Sequence, residues 1–316
     1  TGDASIVSVG QVQVNDQVLV TDSIVIATGA EQKSLGPIAI DGQQIWGARE
    51  AMTPAALPAR LLIVGAGAIG VEFASFYQAL GSAVTLLEVA PNILPAEDTD
   101  ISALAAEALA QRGINVQVGQ GLQALTSLAD CVEATIAGET IQFDAAILSV
   151  GVAARVQGLG LEALGVTMDR GFIVVDERQQ TSIAGIYAIG DVAGAPCLAH
   201  KATHEAMIAA ETIAGHAVQG LQRDRIPGCT YSFPQIASIG LREQDAGDRA
   251  VRVGRFPLYA NGKAVVSGHT EGMIKTIFDA ETGALLGAHL IGDSVTELIQ
   301  GFAVAIGLET TEHELL

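Results

Sequence analysis

Gly65, Gly67 and Gly70, followed by an acid at Glu88, are the residues whose types and spacing point most directly to chemistry. They lie in LLIVGAGAIGVEFASFYQALGSAVTLLE, residues 61–88, where an apolar strand meets a glycine turn, a helix follows and a second strand ends on the acid. In such a turn Gly65 permits the tight bend, Gly67 lets the backbone approach a pyrophosphate with no Cβ in the way, and Gly70 lets helix and strand pack closely. The pyrophosphate would sit against the backbone of Ala66, Gly67, Ala68 and Ile69, where the free amides and the positive end of the helix favour an anion. At the tip of strand Ala83–Leu87, Glu88 is placed to accept hydrogen bonds from the ribose hydroxyls of an adenosine. Its charge repels a 2′-phosphate, and Val89-Ala90-Pro91 offers no arginine to hold one, so NAD is favoured over NADP. In a chain with 36 glycines the spacing alone says little; the strand before, the helix after and the acid beyond carry the reading.

Two further strand ends look built for a second nucleotide. Thr28-Gly29-Ala30 closes an apolar run from Asp22, and Gly190-Asp191 closes the run from Gly185 ahead of a helix starting near Ala199. No second glycine fingerprint occurs in the chain, so that pocket would need residues upstream of Thr1. Without its surroundings Asp191 would read as a helix cap. His204, His216, His269, His289 and His313 show no pairing that suggests catalysis, and no metal site is expected. Cys131, Cys197 and Cys229 are widely spaced, in no C-x-x-C arrangement, and read as ordinary buried thiols of a reducing, cytoplasmic compartment.

The elements that must position these residues follow from pattern. Apolar strands alternate with helices through residue 151, which indicates a doubly wound parallel layer of the α/β class. The pieces are strands at 5–9, 11–14, 17–20 and 22–30, a Pro-punctuated linker at 54–58, a helix at 99–112, a strand at 114–118, hairpin material to 141 and a buried strand at 145–150. Past Pro227-Gly228 four strands (235–239, 249–255, 273–279 and 284–291) precede a helix at 294–306, the order of a separate α+β domain. Thr311 and Glu314 have capping-box spacing. The chain opens on Thr1 and stops as that last helix begins, so it reads as an internal piece of a longer protein.

Composition sets the outer limits. The length predicts about two domains, and 49% hydrophobic residues with few aromatics suit closely packed α/β layers. Sixteen basic against 35 acidic residues give a net charge of −19 with no basic cluster, which disfavours nucleic acid or an anionic membrane as partner. No segment has the pattern of a membrane span or a signal peptide.

In this order the pieces resemble the pyridine-nucleotide disulfide oxidoreductases, and most closely the members that oxidise dihydrolipoyl groups. The resemblance runs through ATGA (27–30), GAGAIGVEFASFY (65–77), LPAEDTDIS (94–102), SVG (149–151), YAIGDV (187–192), LAHKA (198–202) and the segment 260–308. It implies an FAD domain interrupted by an NAD domain and followed by an interface domain: 1–57 as the end of the first FAD segment, 58–151 for NAD, 152–225 as the second FAD segment, and 226–316 for homodimerisation. By matching position it implies that Leu122 lies beside the adenine and Gly151 near the nicotinamide cofactor. It also places Thr28, Gly29, Ala30, Asp191, Cys197, Leu198, Ala199 and His200 around FAD. Glu72 resembles a glutamate that pairs with a lysine beside the flavin, a lysine this chain does not contain. The implied activity is oxidation of a lipoyl-bearing protein or small dithiol through an enzyme disulfide and FAD, with reduction of NAD. The alternatives are another disulfide or mercuric reductase of the family, or a non-catalytic NAD-binding module. Gly151-Val152-Ala153-Ala154-Arg155 departs from the usual Gly-Arg-x-Pro-Asn, His204 replaces an acid, and Gln235 stands where a Glu is common. The redox Cys-x4-Cys pair and the His-Glu dyad of the family are both missing, so no catalytic residue is assigned. The chain by itself is expected to be inert, to bind NAD and to hold FAD weakly.

Overall fold

The computed structural model describes residues 2–315, which form two compact units, 2–32 with 152–223 and 33–151 with 224–315.

In the first unit, strands Ala4–Ser8, Gln11–Val14 and Gln17–Val20 form an antiparallel meander. Strand Ile24–Ile26 lies parallel to Ile186–Ala188, with Ile26 opposite Ala188, so the segments after Ile26 and Ala188 leave the same edge of the pair. Ile6, Ile24, Leu161, Ile173, Ile186 and Val192 make the core behind it. The apolar run from Asp22 is therefore shorter than its composition suggests: it stops at Ile26, and Ala30–Gln32 starts a separate strand paired with Val152–Ala154. Gly29 lies between them at φ +72°, in the left-handed region that ends extended structure.

The second unit is built on a five-stranded parallel sheet whose order is Ile45–Trp46, Ala145–Leu148, Arg60–Val64, Ala83–Leu87, Asn115–Gln117. Leu61, Leu62, Ile63 and Leu148 are fully buried, as an all-apolar strand covered on both faces must be. Helices Ala68–Ala79 and Thr99–Gln111 contribute Val71, Ala74, Tyr77, Ile101 and Leu109 to one core. The hairpin material folds into a three-stranded antiparallel sheet, Leu122–Ser127, Val132–Ile136 and Glu139–Phe143, over the sheet's other face.

The C-terminal part carries five antiparallel strands, ordered Gly228–Thr230, Gln235–Gly240, Leu285–Gly292, Met273–Asp279, Val251–Pro257, with helix Val295–Gly307 packed on them through Val295 and Ile299. Four were expected. The fifth, Gly228–Thr230, is three residues of unremarkable composition that join only because Gln235–Gly240 offers an edge. Strand Ile45–Trp46 and the one-turn helix Ala48–Met52 likewise escape a reading based on periodicity. The Thr311 amide donates to the Glu314 carboxylate at 2.8 Å, as the capping-box spacing predicted. The three cysteines are free but only half-buried, because each lies in a turn, at an edge or ahead of a helix rather than in a core strand.

Candidate functional site

The three glycines of the turn are there for different reasons. Gly65 sits at φ +99°, and a Cβ on it would lie 2.5 Å from the Ser149 carbonyl oxygen. A Cβ on Gly70 would lie 1.9 Å from the carbonyl oxygen of Gly65, so helix Ala68–Ala79 approaches the turn only because no side chain is present. Gly67 differs: its φ of −71° suits any residue, and a Cβ there would meet nothing within 4 Å. Neither backbone conformation nor packing demands glycine at 67. What a Cβ there would occupy is open space beside the turn.

The peptides of the turn are fixed one by one. The Gly65 amide donates to the Leu87 carbonyl at 2.8 Å. The Ser149 hydroxyl lies 2.7 Å from the Gly65 carbonyl and 2.9 Å from that of Val64, sharing its single proton between them. Ala66 donates to Glu88 Oε2 at 2.7 Å, and its carbonyl accepts from the Leu94 amide at 2.7 Å. Among the described residues no protein acceptor meets the Gly67 amide, and the first helical amides, Ala68 and Ile69, have no intrahelical partner. Gly67 has no side chain to cap that helix, and no acid stands in its first turn to repel an anion.

Glu88 is 9% exposed at the rim of this turn. Its other oxygen accepts from the Ala90 amide at 2.8 Å, so the carboxylate is held at both ends while keeping lone pairs for further donors. Beside it lies a cavity of about 390 Å³ lined by Gly65, Leu87, Glu88, Gly121, Leu122 and Ser149, with Leu35, Val64, Val89, Gln120 and Val150. That is the size class of small-ligand sites. Gly151 follows at φ +100° with open space where a Cβ would be. Glu72 points elsewhere: half-buried on helix Ala68–Ala79, it accepts the Tyr231 amide at 2.8 Å.

The first unit brings its own candidates together. Thr28 Oγ1 donates to the Arg155 carbonyl at 2.6 Å, and the Gly29 carbonyl accepts the Arg155 amide. Asp191 lies inside the short 3₁₀ turn Gly190–Ala193 and caps neither that turn, whose N-cap is Ile189, nor helix Ala199–Ile213, whose N-cap is Leu198. Among the described residues no donor meets its carboxylate. Leu198, the N-cap of that helix, makes no side-chain cap bond, and Ala199 and His200 are exposed at the helix start. Burial, reinforced by the nearby Asp191 charge, raises the pKa of the Cys197 thiol.

Two groups that composition did not single out hold this turn. Lys201 and Glu205, both wholly buried, form an ion pair at 3.0 Å. Lys201 Nζ donates to the carbonyls of Gly190 (3.1 Å) and Gly194 (2.8 Å), while Glu205 accepts the Gly190 amide at 2.7 Å. Their i,i+4 spacing on a helix of small apolar residues was the available signal. Ser149 was equally legible only as part of SVG, with no role visible until the strand end met the turn.

Comparison with known proteins agrees with this geometry. Residues 1–206 match the family described as pyridine nucleotide-disulphide oxidoreductase, and residues 226–316 match its dimerisation domain. The chain is 49% identical over 309 residues to the dihydrolipoyl dehydrogenase of Zymomonas mobilis, covering 95% of this chain and 66% of the relative. It is 49% identical over 303 residues to that of Rhizobium etli, covering 93% and 63%. Across such curated relatives it spans a little under two-thirds of their length. Among solved structures it resembles LpdA from Mycobacterium tuberculosis with a TM-score of 0.91 and 30% identity, over 99% of this chain and 71% of that one. It also resembles RclA, the HOCl-induced flavoprotein disulfide reductase of Escherichia coli, with a TM-score of 0.91 and 26% identity, over 98% and 72%. Among the described residues no helix is long and apolar enough to cross a membrane and no group of side chains is arranged to hold a metal. With its glycine turn, its α/β layers and a matched stretch of 206 residues, the chain belongs to the pyridine nucleotide-disulphide oxidoreductase family.

Proposed function

We propose that the turn at Gly65–Gly70 binds the ADP half of NAD and that this chain, which carries no Cys-x4-Cys pair, contributes the nucleotide-binding and interface parts of a dihydrolipoyl dehydrogenase. The observation that carries the nucleotide reading is the open cradle at Gly67, with unpartnered amides on one side and the Glu88 carboxylate on the other. In this assignment the amides of Gly67, Ala68 and Ile69 take the pyrophosphate, Ala66 and Gly70 shape the turn, and Leu122 covers the adenine. Glu88 accepts the ribose hydroxyls, and Gly151 leaves room toward the nicotinamide. Glu72 acts indirectly, holding the cradle helix against Tyr231.

The segments after Ile26 and Ala188 fit the flavin in the same sense. Asp191 presents a carboxylate with no protein donor, suited to a polyol hydroxyl, and Lys201 and Glu205 hold it there. Thr28, Gly29 and Ala30 line the neighbouring strand end, and Cys197, Leu198, Ala199 and His200 bring backbone amides at a helix start to the flavin ring. Bound together, flavin and nicotinamide supply hydride transfer; the chain's own residues bind, orient and exclude water. The substrate we infer is a dihydrolipoyl group on a carrier protein or a small dithiol, in a cytoplasmic homodimer formed through residues 226–316. The 49% identity to two dihydrolipoyl dehydrogenases favours this over the disulfide-reductase alternative, which RclA represents at 26%.

Titration calorimetry with NAD and NADP tests the nucleotide reading. NAD is expected to bind at least about tenfold more tightly, because a 2′-phosphate would be brought against Glu88. Glu88→Ala should abolish that preference. Equal affinity of the unaltered chain for the two would overturn the assignment.

A further inference from the structure

The loop between strand Ala83–Leu87 and helix Thr99–Gln111 touches the cradle at one end and the C-terminal sheet at the other. At the near end the Leu94 amide donates to the Ala66 carbonyl at 2.7 Å, with Leu94 held at φ +47°, where L side chains rarely sit. A peptide unit is planar and trans, so turning the Ala66 carbonyl toward Leu94 aims the N–H at its other end, that of Gly67, the opposite way. This is the amide that no protein acceptor meets. The loop's backbone thus sets the direction of the donor offered to a pyrophosphate.

At the far end the loop is gripped by charge. Asp98, wholly buried, caps helix Thr99–Gln111 by accepting the Asp100 amide at 3.0 Å, and receives Lys275 Nζ at 2.7 Å. The Glu243 amide donates to its second oxygen at 3.1 Å. Lys275, also wholly buried, meets Asp100 at 2.8 Å and Glu243 at 2.6 Å as well. Between the two ends, the Ser102 hydroxyl donates to the Leu94 carbonyl at 3.1 Å. A buried ammonium held by three carboxylates has one geometry, so the loop it anchors has little freedom.

We propose that Lys275, on the C-terminal sheet, is a positioning residue for nucleotide binding: through Asp98 and Leu94 it fixes the direction of the Gly67 amide. It touches no ligand itself. The inference rests on the NAD reading above and deepens it, because it makes affinity at the cradle depend on the domain that matches the family's dimerisation module.

Calorimetric titration of the chain with NAD, at a temperature well below every variant's unfolding midpoint, tests it. Lys275→Met should raise the Kd roughly tenfold, the scale on which remote contacts couple to a site. Ser102→Ala, a milder change that keeps the fold, should raise it about threefold. The comparison is Arg112→Met. Arg112 joins the same helix to Glu271 at 2.7 Å but from its other end, away from the loop, so its Kd should stay within about twofold. Equal weakening by Lys275→Met and Arg112→Met would overturn the proposal, since it would show general loosening. Unchanged affinity in Ser102→Ala would overturn it too, and decides the matter if Lys275→Met does not fold. Failure of the unaltered chain to bind NAD would overturn the cofactor reading itself, and this inference with it.

Discussion

At the scale of single residues, the glycine turn separates groups that shape the fold from groups that would serve the proposed nucleotide. Gly67→Ala places a methyl where nothing lies within 4 Å, so the folded chain should tolerate it, losing at most about 1 kcal/mol from a poorer N-cap. Its affinity for NAD should fall about tenfold or more, because the methyl occupies the path of the pyrophosphate. Gly70→Ala should behave in the opposite way. Its Cβ would be driven to 1.9 Å from the Gly65 carbonyl, so the turn or the helix must move, and thermal denaturation should show a drop of about 2 kcal/mol or more. If the two variants lost stability equally, the distinction between cradle and packing glycines would be wrong. The same division explains what the sequence concealed. The positions of Gly65, Gly67, Gly70 and Glu88 in one turn, and the roles proposed for them, follow from order along the chain, since strand, turn, helix and acid are neighbours in sequence. Those of Ser149, Leu94, Lys201 and Glu205 do not, because each depends on a contact closed by tertiary structure or on a carbonyl no residue type advertises.

At the scale of elements, long periodic segments were legible and short ones were not. Helix Thr99–Gln111 and strand Met273–Asp279 lie where apolar spacing puts them, whereas Ile45–Trp46 and Gly228–Thr230 exist only as additions to edges already formed. Least legible was the charged layer between helix Thr99–Gln111 and the C-terminal sheet. Burial of His289 lowers its pKa, with Lys275 and Arg242 acting in the same sense and the Leu241 carbonyl and Asp98 opposing. Its Nε2 donates to the Leu241 carbonyl at 2.8 Å, and Nδ1 is buried with no partner among the described residues, so a second proton would leave an unsatisfied donor. The folded state therefore prefers the neutral ring. Its contribution is complete above the unfolded pKa of about 6.5 and is lost as pH falls from there toward the folded value. Asp98 acts lower on the scale. Burial alone would raise its pKa, but the bond from Lys275 and the amides of Glu243 and Asp100 hold it below the usual carboxylate range. Its contribution is present above about pH 4 and lost below it. Melting curves should accordingly fall in two stages, and His289→Gln, which keeps a donor for Leu241, should flatten the stage that begins below about pH 6.5 while sparing the acid one. An unchanged upper stage in that variant would remove His289 from the account.

At the scale of the molecule, the five-stranded parallel layer and the C-terminal sheet belong to one compact unit, and the contacts between them are specific rather than merely apolar. Glu72 and Ser75 of the cradle helix accept the amides of Tyr231 and Phe233, each at 2.8 Å. Arg112 pairs with Glu271 through both of its terminal nitrogens and lies over the Phe233 ring. Lys275 adds the buried cluster, and breaking such a pair by removing one partner costs about 3–5 kcal/mol. Ile236, Ile291 and Met273 meanwhile join the same apolar core as Leu61 and Ile101. Parts tied in this way open together, so a ligand bound to one should protect the other. Saturation with NAD at a hundred times its Kd adds about 2.7 kcal/mol to whatever opens with the cradle. Hydrogen exchange followed by mass spectrometry should therefore slow by roughly a hundredfold both in strand Arg60–Val64 and in strand Leu285–Gly292, although the second contributes no residue to the site. Protection confined to Arg60–Val64 would mean that the two parts unfold independently, and the charged layer would then be an ordinary contact rather than the joint that makes them one body.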